Sequence, residues 1–138
     1  MWAEVRRIDG DEVEDLNQQF IGLAGDDLLA LRLAADRSDP ALAVYMGKEL
    51  MALVGFIPLG LISGTAYAWL QPTEGMAKFK LAFVLVGREI FTEARKRYPI
   101  IYGHCSLGPR SEAWLRSCGA RFIDTDAKAK PYIIGDVQ

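Results

Sequence analysis

Leu50 to Leu70 (LMALVGFIPLGLISGTAYAWL) carries no charged residue, and a run of that length is just enough for a helix to cross a bilayer. Its breakers argue otherwise. Gly55, Pro58, Gly60 and Gly64 cut it into pieces of strand length. Gly47-Lys48-Glu49 ahead of it suits a hairpin turn, and Ala66-Tyr67-Ala68-Trp69 ends it with an aromatic-rich stretch. Buried strands are therefore expected and a membrane span is not. Strands this apolar belong in the middle of a sheet, covered on both faces.

A chain of 138 residues is expected to form one domain over 1–138 and to bury roughly two-thirds of its unfolded surface. Sixteen basic residues stand against eighteen acidic ones, a formal charge of -2. No global field draws phosphate backbones, so nucleic acid is not an expected partner. Cys105 and Cys118 lack metal-ligand spacing, and no basic segment followed by an apolar core opens the sequence. Both are read as reduced thiols of a cytoplasmic protein, small buried fillers with no metal.

Around the uncharged run, the pattern predicts further elements. Trp2 to Ile8 alternates as a first strand, after which Asp9 or Asp11 caps a helix carrying Val13, Leu16 and Phe20 on one face. Asp26 or Asp27 opens a second helix through Leu28, Leu29, Leu31, Leu33 and Ala34, closed by Asp36 to Pro40. Ala41 to Met46, Leu50 to Ile57 and Ser63 to Leu70 read as an antiparallel meander. From Gly75 to Tyr98, apolar residues recur at steps of three and four, describing one helix of about 36 Å stopped by Pro99. Ile100 to Ser106 then returns parallel to the preceding strand. A short helix follows, with Trp114 and Leu115 on the sheet and Gly119 as its left-handed cap. Phe122-Ile123 and Tyr132 to Ile134 are the last strands, around a turn from Asp124 to Lys130.

The order β-α-α-β-β-β-α-β-α-β-β, together with the stretch Trp114-Leu115-Arg116-Ser117-Cys118-Gly119-Ala120-Arg121-Phe122, resembles the GNAT superfamily of acyl-CoA-dependent N-acyltransferases over nearly the whole chain. The resemblance implies an α/β fold: a single GNAT-like domain with a mixed, mostly antiparallel sheet of six or seven strands and helices on both faces. Within the superfamily, the Gly119-Ala120-Arg121-Phe122 ending and the helix from Phe79-Lys80 to Arg97-Tyr98 look like the small GNAT-like proteins of T7-like bacteriophages.

The family binds the pyrophosphate of coenzyme A at the start of the long helix, where free N–H groups and the dipole favour an anion. The resemblance assigns Trp69, Leu70, Gln71, Gly75, Met76, Ala77 and Lys78 to acetyl-CoA or another acyl-CoA. In the family's pattern (Arg or Gln, two residues, Gly, one residue, Gly or Ala) Gly75 and Ala77 fit, while Gln71 comes one residue early. Glu74 would repel a diphosphate, and Lys78 and Lys80 could offset it. The plainer reading is that Thr73 caps the helix, Glu74 complements its dipole and Gly75 is permissive backbone.

His104 is the one histidine of the sequence, on the strand that splays from its neighbour in this family. Imidazole is suited to taking a proton from an amine, directly or through water, although a lone strand histidine is more often structural. The family's proton-donating tyrosine, four residues before the glycine that ends the short helix, is replaced by Leu115. That leaves Tyr67, Tyr102 or water to protonate the thiolate, or no chemistry at all. His104 and Tyr67 are the catalytic candidates. Ser111 reads as a capping or solvent-facing residue and Arg95-Lys96-Arg97 as a solvated helix end.

Two functions follow from the resemblance. One is an acyl-CoA-dependent transfer to an amine, with Asp11, Glu12, Glu14 and Asp15 either attracting that amine or facing water. The other is a non-catalytic GNAT-fold phage protein, a virion component or a binder of a host protein, located in the host cytoplasm or the virion. A homodimer is compatible with either.

Overall fold

Asp9 breaks the first strand from the first helix, and the same kind of local chemistry delimits most elements of this computed structural model, which describes residues 3–20, 23, 25–60, 64–106, 108–123 and 125–135. Trp2, Ser63 and Asp124, named in the expected strands and turn, lie outside the described residues. The elements are β1 (Ala3–Arg7), α1 (Gly10–Asp15), α2 (Gly25–Arg37), β2 (Ala41–Met46), β3 (Glu49–Pro58), β4 (Thr65–Pro72), α3 (Glu74–Lys78), α4 (Lys80–Arg97), β5 (Ile100–Cys105), α5 (Pro109–Ser117), β6 (Ala120–Phe122) and β7 (Lys130–Ile134). The strands form one mixed sheet in the order β1-β2-β3-β4-β5-β7-β6. The uncharged run thus supplies strands, and no helix among the described residues is long and apolar enough to cross a membrane. By its internal contacts the chain divides into two compact units, Met1–Ile57 with Leu70–Phe83, and Pro58–Trp69 with Val84–Gln138.

In the first unit, Asp9 Oδ1 accepts from the Glu12 N–H at 3.0 Å and starts α1. Arg32 of α2 reaches back to Glu14 at 3.0 Å and Asp11 at 3.3 Å. The expected first helix stops at Asp15, short of Phe20, which instead forms an isolated bridge with Thr73. On α2, Leu31 and Ala35 are buried, while Leu29 and Leu33 are exposed. The β2–β3 hairpin turns through Gly47 at φ 61, a left-handed conformation that glycine adopts without steric cost. Every residue from Leu50 to Phe56 is buried, so β3 is covered on both faces, as its composition requires.

The expected single helix from Gly75 to Tyr98 is broken at Phe79 (φ -118, ψ 44), giving α3 and an α4 of 18 residues, about 27 Å long. Tertiary contacts fix the direction of α3. The Thr73 side chain donates to Met51 O at 2.8 Å, and the Thr73 N–H donates to the same carbonyl at 3.1 Å. Gly75 lies so close to β3 that a Cβ would fall 2.4 Å from Leu50 O.

In the second unit, β4 and β5 run parallel, with Thr65 opposite Ile100 and Tyr67 opposite Tyr102. Along β5, Ile101, Gly103 and Cys105 are buried and Tyr102 and His104 are exposed, the alternation of a half-buried strand. α5 starts with Pro109 at its first position and ends at Cys118, where Gly119 turns the chain at φ 100, as the sequence predicts. Leu115 is buried. Trp114, expected on the sheet, lays its indole on α4: a Cβ at Gly87 would lie 2.4 Å from Cζ2, and the Phe91 ring stands edge-on at 5.9 Å.

Two predictions concern this packing. A Cβ at Gly103 would lie 2.3 Å from the Tyr132 hydroxyl, and Tyr132 is buried. Gly103→Ala is expected to lower stability by about 1–3 kcal/mol through overpacking. An unchanged urea midpoint would contradict this contact. Burial also raises the Tyr132 pKa, and to a lesser extent that of Tyr67. In the unfolded chain a phenol ionises near 10. The folded state then holds the proton more tightly, so its contribution is full below about pH 10 and is lost as pH rises further. Urea midpoints should therefore fall above about pH 10, and fall less steeply in Tyr132→Phe. An equal fall in both proteins would remove Tyr132 from the account.

Candidate active site

The parallel β4–β5 register places Tyr67 opposite Tyr102, and His104 two residues further on shares the Tyr102 face. Tyr67 Oη and His104 Nδ1 meet in a hydrogen bond of 2.9 Å, with ring centroids 5.7 Å apart. His104 is exposed and Tyr67 half-buried. Burial holds the Tyr67 phenol above its usual pKa, so it is a proton donor across the neutral range. The tautomer of His104 sets the direction of the bond. With the proton on Nδ1, imidazole donates to Oη, Nε2 is a free base, and the phenolic proton can go elsewhere.

The paired stretch of β4 and β5 covers Thr65 to Tyr67 against Ile100 to Tyr102. β5 continues to Cys105 against β7. Tyr67–His104 stands where this parallel ladder ends. The sequence named both residues without their bond; the expected parallel return of β5, with strand alternation, is the signal that could have paired them.

The residues expected to hold coenzyme A lie on β4 and α3. Tyr67, Trp69 and Gln71 alternate onto one face of β4 and Leu70 onto the other. Gln71 Nε2 donates to Pro72 O at 3.2 Å. Thr73 caps α3 by accepting from the Gly75 N–H at 3.2 Å, and the Met76 N–H donates to Thr73 O at 3.2 Å. Gly75 is buried, Met76 half-buried, and Glu74, Ala77 and Lys78 are exposed.

The plainer reading of Thr73 and Glu74 therefore describes this corner, and Gly75 has a further reason to be glycine in its approach to Leu50 O. Lys78, expected to offset Glu74, is paired with Glu49 at 3.1 Å. Lys80 is exposed, with no carboxylate partner among the described residues. Beside the start of α3 is a cavity of about 500 Å³ whose lining includes Gln18, Gln19, Phe20, Glu49 and Glu74. Its two carboxylates make that side acidic.

No protein-family model matches this chain, and no curated protein does. Solved structures do. A chimera of the Vibrio cholerae spermidine N-acetyltransferase SpeG and hSSAT is 14% identical, with 97% of this chain and 95% of that chain covered and a TM-score of 0.72. The Vibrio cholerae spermidine N-acetyltransferase in complex with CoA and spermine is 15% identical over 96% of this chain and 94% of that one, with a TM-score of 0.67. These neighbours lend no support to the narrower resemblance to phage proteins. At such low identity the likeness concerns the fold, and on that level it agrees with the strand order: this chain has the GNAT fold, a seven-stranded mixed sheet with helices.

Proposed function

We propose that this protein is an acyl-CoA-dependent N-acyltransferase acting as a single domain over 1–138, with Tyr67 and His104 as its catalytic pair. The observation that carries the reading is the 2.9 Å Tyr67–His104 bond at the end of the parallel ladder. In the reaction, the acceptor amine gives a proton to His104 Nε2 and attacks the thioester carbonyl. The carbon–sulfur bond breaks, and Tyr67 Oη gives its proton to the departing thiolate. Tyr67 regains a proton from His104 Nδ1, so one proton passes from amine to thiol and the pair ends as an uncharged phenol and imidazole.

Trp69, Leu70, Gln71 and Gly75 to Lys78 are the segment we assign to the acyl-CoA, with Lys80 as the nearest cation in sequence that has no carboxylate partner among the described residues. Glu74 opposes that assignment electrostatically, which makes it a test. Glu74→Gln is expected to tighten acetyl-CoA binding by about two- to fivefold at low salt, the gain shrinking as salt screens it. Weaker binding in the variant would mean that the carboxylate serves the site. For the acceptor, the first unit carries twelve acidic and seven basic residues, a charge suited to cationic amines. Spermidine and spermine, named for the structural neighbours, are the first acceptors to try.

The test is to incubate the protein with acetyl-CoA and a panel of polyamines, diamines and lysine peptides, and to identify acetylated products by mass spectrometry. Product with any amine, absent without enzyme, supports the transferase. A second reading, a non-catalytic GNAT-fold protein that presents an interaction surface to a protein partner, is favoured by the burial of Leu115 where the family has its tyrosine. Its mark is no turnover across the panel together with a stable complex recovered by affinity capture.

A further inference from the structure

We propose that the cavity between the C-terminal half of α4 and the end of α5 is a binding site for a small phosphate-bearing polyanion, separate from the Tyr67–His104 pair. The cavity has a volume of about 610 Å³ and is lined by Arg88, Thr92, Arg95, Lys96, Ser117 and Cys118, with Pro99 at its end. That is within the usual size of a small-molecule site. Arg88, Thr92, Arg95 and Pro99 follow one another at helical spacing, so a single face of α4 forms one wall. Ser117 and Cys118 of the α5 terminus form the other.

The lining holds three cations and two hydroxyls and no carboxylate. Arg88 spends only Nε on Ser117 Oγ, at 3.3 Å, leaving its terminal nitrogens to face a ligand. Lys96 is bonded to Glu93 at 2.8 Å, a residue outside the lining. Arg95 has no carboxylate partner among the described residues. Arg95 and Lys96 sit in the last turn of α4 and Arg88 reaches the end of α5, and the backbone dipole supplies roughly half a negative charge at each helix end. Two such ends offset about one positive charge, and Arg88 and Arg95 alone bring two.

Location and reach define the ligand further. Pro99 and His104 are five residues apart on an extended segment, about 16 Å, so the cavity is at the far end of β5 from the reacting pair. From Arg88 to Arg95 the wall is about 10 Å long. A triphosphate held between two long arginine side chains bridges that distance. The second unit carries nine basic and six acidic residues, a modest excess concentrated at this cavity, which suits a compact anion better than a nucleic-acid backbone. The Thr92 and Ser117 hydroxyls donate to Arg88 O and Trp114 O, so the donors left for phosphate oxygens are those of the cations. Arg88 and Arg95 offer forked donors that match them.

The experiment is a calorimetric titration of the whole protein with tripolyphosphate, pyrophosphate and phosphate at low ionic strength, with Arg88→Gln, Arg95→Gln and Lys80→Gln alongside. All three substitutions remove one exposed positive charge. The proposal predicts one site per chain, affinity falling from tripolyphosphate to phosphate, and a loss of tenfold or more in each arginine variant with none in Lys80→Gln. It also predicts that tripolyphosphate slows alkylation of Cys118 severalfold, followed by peptide mass spectrometry that separates it from the buried Cys105. No saturable binding would overturn the proposal. So would binding sensitive to Lys80 and indifferent to Arg95, which would place the anion at α3. Tighter binding of an oligoglutamate peptide than of tripolyphosphate would assign the cavity to an acidic protein segment instead.

Discussion

His104→Ala is expected to slow acyl transfer by about 10²–10⁴-fold, the range that a positioned acid–base group supplies. The side chain is exposed and its one polar contact among the described residues is with Tyr67, so the substitution removes a proton acceptor without opening a cavity. Acetyl-CoA binding and the urea midpoint should stay near wild type. Tyr67→Phe keeps the ring and removes the proton donor, so it should lower kcat by tenfold or more while leaving KM close to its original value. Steady-state kinetics of the two single variants and the double variant decide the matter. A double variant no slower than either single one indicates a relay acting as a unit. Full activity in His104→Ala would exclude the pair from the chemistry.

Gly75→Val is expected to cost about 2–4 kcal/mol in unfolding free energy and to weaken acetyl-CoA binding by at least tenfold. The added Cβ would meet Leu50 O at 2.4 Å and Glu49 Cγ at 3.1 Å. Leu50 O is backbone in a buried strand and cannot turn aside. α3 must then lift from β3, stretching the bonds from the Thr73 hydroxyl and N–H to Met51 O. The buried threonine would be left partly unsatisfied, which adds to the steric cost. Ala77→Val is the control, since Ala77 is exposed and should lose about 0.5 kcal/mol or less from helix propensity. Urea unfolding of both variants checks the stability arm, and an unaltered midpoint in Gly75→Val would contradict the seating of α3 on β3.

Much of this fold was legible in the sequence because the signals were local. The uncharged Leu50 to Leu70 run, cut by glycine and proline, gave two sheet strands. Asp9 capped its helix and Gly119 turned the chain at positive φ. The break at Phe79 was hidden because the apolar spacing runs through Met76, Phe79 and Phe83 without interruption. Periodicity reports which face is buried, whereas the direction of α3 is fixed by Thr73 and Gly75 against β3.

Long-range partners were likewise silent in the sequence. Lys78 pairs with Glu49, and Trp114 rests on Gly87; neither follows from spacing along one element. At the candidate site, the residue types of Tyr67 and His104 could be named, but their bond waited on the register of β4 against β5. Arg88, Thr92 and Arg95 share a helix face by their spacing, which by itself marks no site. It became a cavity only with the end of α5 as a second wall.

The central claim, that this GNAT fold serves an acyl-CoA, is tested most directly by calorimetric titration of the whole protein with acetyl-CoA. The account predicts one site per chain with a Kd of roughly 10 μM or below, tighter in Glu74→Gln and weaker in Gly75→Val. Folded protein that shows no saturable binding of acetyl-CoA at about 1 mM ligand would contradict it.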